Sequence, residues 1–323
     1  MRAFVQRREL LLGLAALPVA SRIAVAETYP SRPVRILVAT SAGGGTDLVA
    51  RFIAQWLTER LGQSFFVENR PGGGNNIGTE MAARSPADGY TLFMANTVNT
   101  INNSLYQKLN YNFIADFAPV ANVMGTPLLV LVHPSVAAKN AAELIALAKA
   151  SPGKLNLASG GVGSTGHMSA ELFQIGRHQV HPCAVSRRGA RAHRSDWRPG
   201  GVDGFDHRSS LQYARAGTVR ALATTTDDRV AELPDVPPLS KTLPGYRANA
   251  WSGLCAPKGT PVEIITLLNK EVNLAMADAK IKERMSSLGG VALPGSPEDY
   301  GRTIAADTET WAKVVQFSGA KAQ

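Results

Sequence analysis

Three glycine-rich turns hold the residues of this chain best suited to chemistry. They are SAGGGTD at 41–47, ENRPGGGNNIG at 68–78 and SGGVGSTGH at 159–167. Each is entered from a short apolar run and opens a stretch with helical spacing. Glycine removes the side-chain bulk that keeps a ligand off the backbone, and a helix N-terminus presents unpaired N–H groups at the positive end of its dipole. Turns of this kind suit small anions.

Other chemistries fit the same residues poorly. The first turn lacks the Lys that follows the last glycine of a phosphate-binding loop, and its consecutive glycines do not match the dinucleotide fingerprint G-x-G-x-x-G. In the third turn Ser164 stands near His167, but a nucleophile elbow needs glycine at 162, where Val162 stands. Ser164 therefore reads as a hydroxyl donor or helix cap. His133 and His167 are expected to be structural or ligand-contacting rather than metal-binding, with no partner ligand at the i+4 spacing. Cys183 and Cys255, the two cysteines, form no disulfide framework and match no metal spacing, so both are expected to be free thiols. No acid–base pair stands out. The expectation is a binding protein without catalytic residues, metal or cofactor.

The elements that must position these turns follow from periodicity. The spacing predicts a strand over 34–38 and a helix over 46–61, with Leu48, Val49, Phe52, Ile53, Trp56 and Leu57 on its apolar face and Thr46 or Asp47 as its cap. Strand 65–67, helix 77–83 and strand 91–94 come next. A second series has strand 128–132, helix 141–150, strand 155–158 and a helix from the third turn to 173. Strands at 219–224 and 251–256 and helices at 262–277, 279–288 and 297–317 complete it. Alternation of this kind predicts α/β layers, and the natural arrangement is two lobes whose glycine turns face a shared cleft. Asp88-Gly89 and the proline-rich stretch 233–238 read as a turn and a loop.

A chain of 323 residues is long enough to bury a substantial core, and its length favours two domains. The net charge of +9 is local: residues 1–26 carry +3 and residues 174–199 carry +5, leaving +1 for the remainder. A nucleic-acid partner is thereby disfavoured. Arg2, Arg7 and Arg8 precede an apolar stretch at 10–20, and Ala24-Val25-Ala26 forms a small-x-small site, so residues 1–26 read as an export signal cleaved near Ala26. Arg7-Arg8 fits either a twin-arginine or a Sec signal. The apolar stretch is too short to span a membrane.

Five ordered segments carry a resemblance: RILVATSAGGGTDLVAR (35–51), VENRPGGGNNIGTEMAARSPADGYTL (67–92), DFAPV (116–120), SGGVGSTGHMSAELF (159–173) and AGTVRALA (216–223). The chain resembles the periplasmic solute receptors of the tripartite tricarboxylate transporter system, the Bug or TctC family. The resemblance implies a type II, two-lobed "Venus flytrap" periplasmic binding protein of the α/β class with a mixed sheet in each lobe. Residues 27–125 and 249–323 would form lobe 1, and residues 126–248 lobe 2. It also implies a monomeric receptor that takes a small carboxylate and passes it to a two-component integral membrane permease. Ser41, Ala42, Gly43, Gly44, Thr46 and Asp47 would hold one carboxylate, in part through water. Ser159, Gly163, Ser164 and Thr165 would close from the other lobe, with Thr97 and Asn99 as rim contacts. Asp206, in the pair Phe205-Asp206, matches a family position that faces the ligand. A secreted sensor component feeding a two-component signalling system is the alternative.

The resemblance breaks after Phe173 and returns at Val202. The stretch between holds six arginines and no apolar period, where the family places a strand and an amphipathic helix. Back-translating residues 174–199 with permitted synonymous codons and shifting one base forward can yield RSAGIKFTHAPYRGGARALTDLTGGR, which fits the family pattern. Two compensating frameshifts are therefore expected at this segment, at a cost of several kcal/mol of burial if it is translated as written, by roughly 1.5–3 per large apolar side chain.

Overall fold

The computed structural model describes residues 28–151, 155–176, 201–204, 210–227, 229 and 233–322. The export signal, Cys183, Asp206 and the aberrant segment from residue 177 onward lie outside the described residues. The elements run in order β1 (Val34–Val38), α1 (Gly45–Leu61), β2 (Phe65–Asn69), α2 (Asn76–Ala83), β3 (Thr91–Asn96), α3 (Thr97–Leu105), β4 (Phe117–Thr126), β5 (Leu129–Val132), α4 (Ala141–Ala150), β6 (Asn156–Ala158) and α5 (Thr165–Gly176). Then come β7 (Gly201–Gly204), α6 (Leu211–Arg215), β8 (Arg220–Thr224), β9 (Ala250–Pro257), α7 (Val262–Ala277), α8 (Ala279–Ser287), β10 (Val291–Ala292) and α9 (Pro297–Ser318).

The strands form two mixed sheets. The first, in the order β10-β4-β9-β3-β1-β2, pairs β1 in parallel with β2 and β3 and antiparallel strands elsewhere. The second, β6-β7-β5-β8, has one parallel pair, β6 with β7. Side chains alternate across a strand, so a strand covered on both faces reads as continuously apolar. In β1, Val34, Ile36 and Val38 face a core shared with α1 and α7, while Leu37 faces a second core holding Tyr300 and Ile304 of α9. β3 divides in the same way, with Leu92 and Met94 on one face and Phe93 and Ala95 on the other.

Two chain crossings and two helices connect the sheets. Where β4 gives way to β5, Leu128 donates its N–H to Thr225 Oγ1 at 2.9 Å and accepts from the N–H of Thr225 at 2.9 Å. The chain returns at 248–250 into β9. Helix α9 begins on the first sheet, yet its Trp311, Val314 and Val315 pack with Val130 and Val132 of β5 and Met168 of α5. Ile101 and Leu105 of α3 join the same core.

Helix α3, β4 and three short elements (β7, α6 and β10) are absent from the periodicity reading. In α3 the segment TVNTINNSL is rich in Asn and Thr, poor interior helix formers. A capping box built on two asparagines, Asn96 and Asn99, starts it, and burial of Ile101 and Leu105 holds it. Pro119 hides β4, whose pairing with β9 shifts register between Pro119 and Ala121 and again between Asn122 and Met124.

Candidate functional site

The first glycine turn leaves the end of β1 and enters α1 through Gly44. That residue is the N-cap and supplies no side-chain acceptor, which corrects the expectation that Thr46 or Asp47 caps the helix. At four other helices Asn96, Asn140, Asp278 and Ser296 each accept a first-turn N–H with their own side chains, whereas α2 and α7, like α1, start without a side-chain cap. At α1 the N–H groups of Gly45, Thr46 and Asp47 have no acceptor within the helix. Ser41, Ala42 and Gly43 are exposed beside them, and Gly44 and Thr46 are half-buried.

Asp47 faces inward. Its side chain is 1% exposed and accepts from Gly43 N–H at 2.8 Å, from Arg51 Nε at 3.0 Å and from Asn69 Nδ2 at 2.9 Å. Burial works to raise its pKa, but the bonds from Arg51, Gly43 and Asn69 together outweigh it and hold the carboxyl below its ordinary value. The carboxylate is thus a brace for the turn, and only its backbone N–H is left for a ligand. Thr40 Oγ1, just before the turn, is buried without a partner among the described residues. Sequence reasoning passed over Thr40 because a lone threonine at a strand end carries no pattern.

The second turn is tied down by α3 and the loop behind it. Asn102 Nδ2 donates to Gly74 O at 2.7 Å and to Asn76 Oδ1 at 2.8 Å, and Tyr111 donates its hydroxyl to Asn76 Oδ1 at 2.6 Å. Asn75 caps α2 from the left-handed region at φ 78°.

Thr97 and Asn99 are not rim residues. Thr97 is 1% exposed and accepts the N–H of Trp251 at 2.9 Å. Asn99 is fully buried; it donates to Thr79 Oγ1 at 2.8 Å and accepts the N–H of Asn96 at 2.8 Å. The half-buried polar residue at this helix start is Asn96, which sequence reasoning missed. Asn96 Nδ2 donates to Thr46 Oγ1 at 3.3 Å, so the N-termini of α1 and α3 adjoin. Two Asn spaced three apart at a strand end are the signal that could have found it.

The third turn reaches the other end of α3. Gly163 has φ 80°, and a Cβ on it would lie 2.2 Å from Leu105 Cδ2, so glycine seats the turn there without backbone strain or displacement of Leu105. Ser164 caps α5 by accepting the N–H of His167 at 3.2 Å, as one of its two expected roles has it. Ser159 Oγ accepts the N–H of Gly161 at 3.4 Å, and Thr165, half-buried, begins the helix. The first and third turns therefore meet opposite ends of a nine-residue helix, about 13 Å apart at 1.5 Å per residue.

Behind the third turn lies a buried pair. His167 Nδ1 accepts the N–H of Gly163 at 3.3 Å, and its Nε2 lies 3.7 Å from Glu171 Oε1. Glu171 is thus the i+4 partner that sequence reasoning overlooked. Burial lowers the pKa of His167, and burial raises that of Glu171 to about 7 against the opposing hydrogen bond from Gln174. His133 bonds the neighbouring Ser135 hydroxyl at 2.7 Å. Among the described residues no cluster of three or more His, Cys, Asp or Glu could hold a metal, and no helix is long and apolar enough to cross a membrane. Cys255 is a free, buried thiol whose pKa burial pushes up to about 12, a poor nucleophile.

The first turn opens α1 and the third opens α5, and both touch α3. The family model for the "Tripartite tricarboxylate transporter family receptor" matches residues 49–319. The chain belongs to this receptor family. Protein BugT of Bordetella pertussis is 35% identical over 302 residues, which is 92% of each chain. Among solved structures, R. palustris Rpa4515 with adipate superposes with a TM-score of 0.77 at 33% identity, covering 90% of this chain and 98% of that one. Periplasmic binding protein BugD gives a TM-score of 0.74 at 30% identity, covering 91% of this chain and all of that one. MatC from Rhodopseudomonas palustris with bound malate gives 0.74 at 29%, covering 89% of this chain and all of that one. The α/β architecture of this receptor, with a mixed sheet on either side of the crossings, is accordingly that of the Bug/TctC periplasmic binding proteins.

Proposed function

We propose that this chain is a periplasmic receptor that captures a small carboxylate between its two lobes and delivers it to a two-component integral membrane permease. The observation that carries the reading is the glycine-capped start of α1 behind the exposed residues 41–43, where three first-turn N–H groups have no intrahelical acceptor and no capping side chain. Ser41, Ala42, Gly43, Gly44 and Thr46 form the first wall of the site, and Ser159, Gly163, Ser164 and Thr165 form the wall that closes on it. Asp47 positions the first wall through Gly43. Adipate in one relative and malate in another mark linear dicarboxylates as the first compounds to try. Residues 1–26 direct export and are removed near Ala26, and the mature receptor acts as a monomer without metal or cofactor. Asp206 remains part of the proposed site.

Closure follows from differential affinity: contacts from both lobes exist together only in the closed form, so ligand shifts the equilibrium toward it. The purified chain melted with a panel of C4 to C6 dicarboxylates tests the reading. A ligand at a hundredfold excess over Kd adds about 2.7 kcal/mol of stability and raises Tm. A Tm unmoved by every member of the panel at millimolar concentration overturns it.

A further inference from the structure

The hydrogen bond between Asn96 and Thr46 has a direction that the surrounding structure dictates. Asn96 Oδ1 accepts the N–H of Val98 at 3.0 Å as the cap of α3, and Asn75 Nδ2 approaches the same oxygen at 3.5 Å. Both contacts require the amide oxygen on that side, because an N–H cannot be capped by an NH2 group. The amide nitrogen therefore points at Thr46 Oγ1, 3.3 Å away, and Thr46 is the acceptor in that bond. A hydroxyl that accepts still has its own proton to give. Among the described residues no acceptor takes it.

Thr46 stands in the first turn of α1, between the free N–H groups of Gly45 and Asp47. We propose that Asn96 sets the Thr46 hydroxyl as a donor into the cleft beside the N–H groups of Gly45 and Asp47, so that this start of α1 presents donors and favours a carboxylate over a carboxamide. The proposal rests on the carboxylate-receptor reading and names what selects the ligand's charged end. A carboxylate offers only acceptors to such a wall. A carboxamide would turn an NH2 group against at least one donor, leaving both unpaired in a closed cleft, the arrangement that discriminates most strongly between near-isosteres. Asn96 is a positioning residue here, since it acts through Thr46. The chain from Asn75 through Asn96 to Thr46 also links the second glycine turn to the first.

The test is a double-mutant cycle on the full mature chain, titrated calorimetrically with adipate, malate and adipamide. Asn96→Ser keeps a good helix cap, since serine also accepts a first-turn N–H, but it is too short to reach Thr46. Thr46→Val removes the hydroxyl, and Thr46→Ser restores it. Asn96→Ser is expected to weaken dicarboxylate binding about tenfold in the wild-type and Thr46→Ser backgrounds, the scale of a hydrogen bond to a charged group, and less than about twofold in Thr46→Val. Adipamide is expected not to bind the wild-type chain. Unchanged affinity in Asn96→Ser, or an equal loss with and without the Thr46 hydroxyl, overturns the relay while the receptor reading stands. A wild-type chain that binds neither dicarboxylate removes both.

Discussion

Replacing Gly163 with alanine probes the seat of the third turn on α3. Gly163 sits at φ 80°, and an alanine Cβ would meet Leu105 Cδ2 at 2.2 Å. Two penalties add. Holding a residue with a Cβ in the left-handed region costs about 1–2 kcal/mol, and overpacking against the buried Leu105 costs about 1–3 kcal/mol more. Gly163→Ala should therefore lose about 2–5 kcal/mol. Leu105→Ala alone should lose about 2–5 kcal/mol through the cavity it leaves. That cavity is the space the new Cβ needs, so in the double variant only the backbone penalty remains. Urea denaturation of the four proteins, followed by circular dichroism, should show a combined loss smaller than the sum by about 1–3 kcal/mol. Strictly additive losses would refute the contact and, with it, the placement of the third turn at the end of α3.

Asp47→Ala removes an acceptor shared by Gly43, Arg51 and Asn69. It should cost about 1.5–3 kcal/mol in thermal melts and weaken carboxylate binding by loosening the first turn; unchanged stability would contradict a bracing role. The Glu171 carboxyl has a pKa of about 7 when folded against 4.5 as the ordinary value. The folded state binds that proton more tightly, so the group's contribution is fully present below about pH 4.5 and is lost as pH rises to about 7, up to roughly 3 kcal/mol. His167, held neutral by burial, acts with the opposite sign: its contribution is present above pH 6.5 and is lost as pH falls. Comparing wild type with Glu171→Gln from pH 5 to 8 isolates the carboxyl. The stability of wild type relative to the variant should fall across that range, and a constant difference would contradict the shift.

Much of the scaffold was legible because its strands are buried on both faces and its helices are amphipathic. Helices α4 and α7 fall on the residues that their apolar spacing marks, Ala141–Ala150 and Val262–Ala277. The glycine turns were legible because glycine at a strand-to-helix junction has a backbone meaning that other residues lack. What failed was asparagine. Asn99, just after a strand, is expected as a rim contact, yet Asn99 and its neighbour Asn102 are buried and satisfied by partners 20 to 28 residues away. Periodicity carries no information about such pairings, so Thr97 and Asn99 were placed on the rim and Asn96 was missed. Asp47 fails as the expected cap of α1 for a related reason: its carboxylate is turned inward by a long-range partner, Asn69, that spacing does not reveal.

The glycine-capped start of α1 and the third turn are proposed to hold one small carboxylate. Isothermal titration calorimetry of the purified mature chain with adipate, malate and their diamides tests it most directly. Saturable binding of one dicarboxylate per chain, with no heat from the corresponding diamide, is the predicted result. A chain that gives no saturable heat with either dicarboxylate, or that binds acid and diamide equally well, would contradict it.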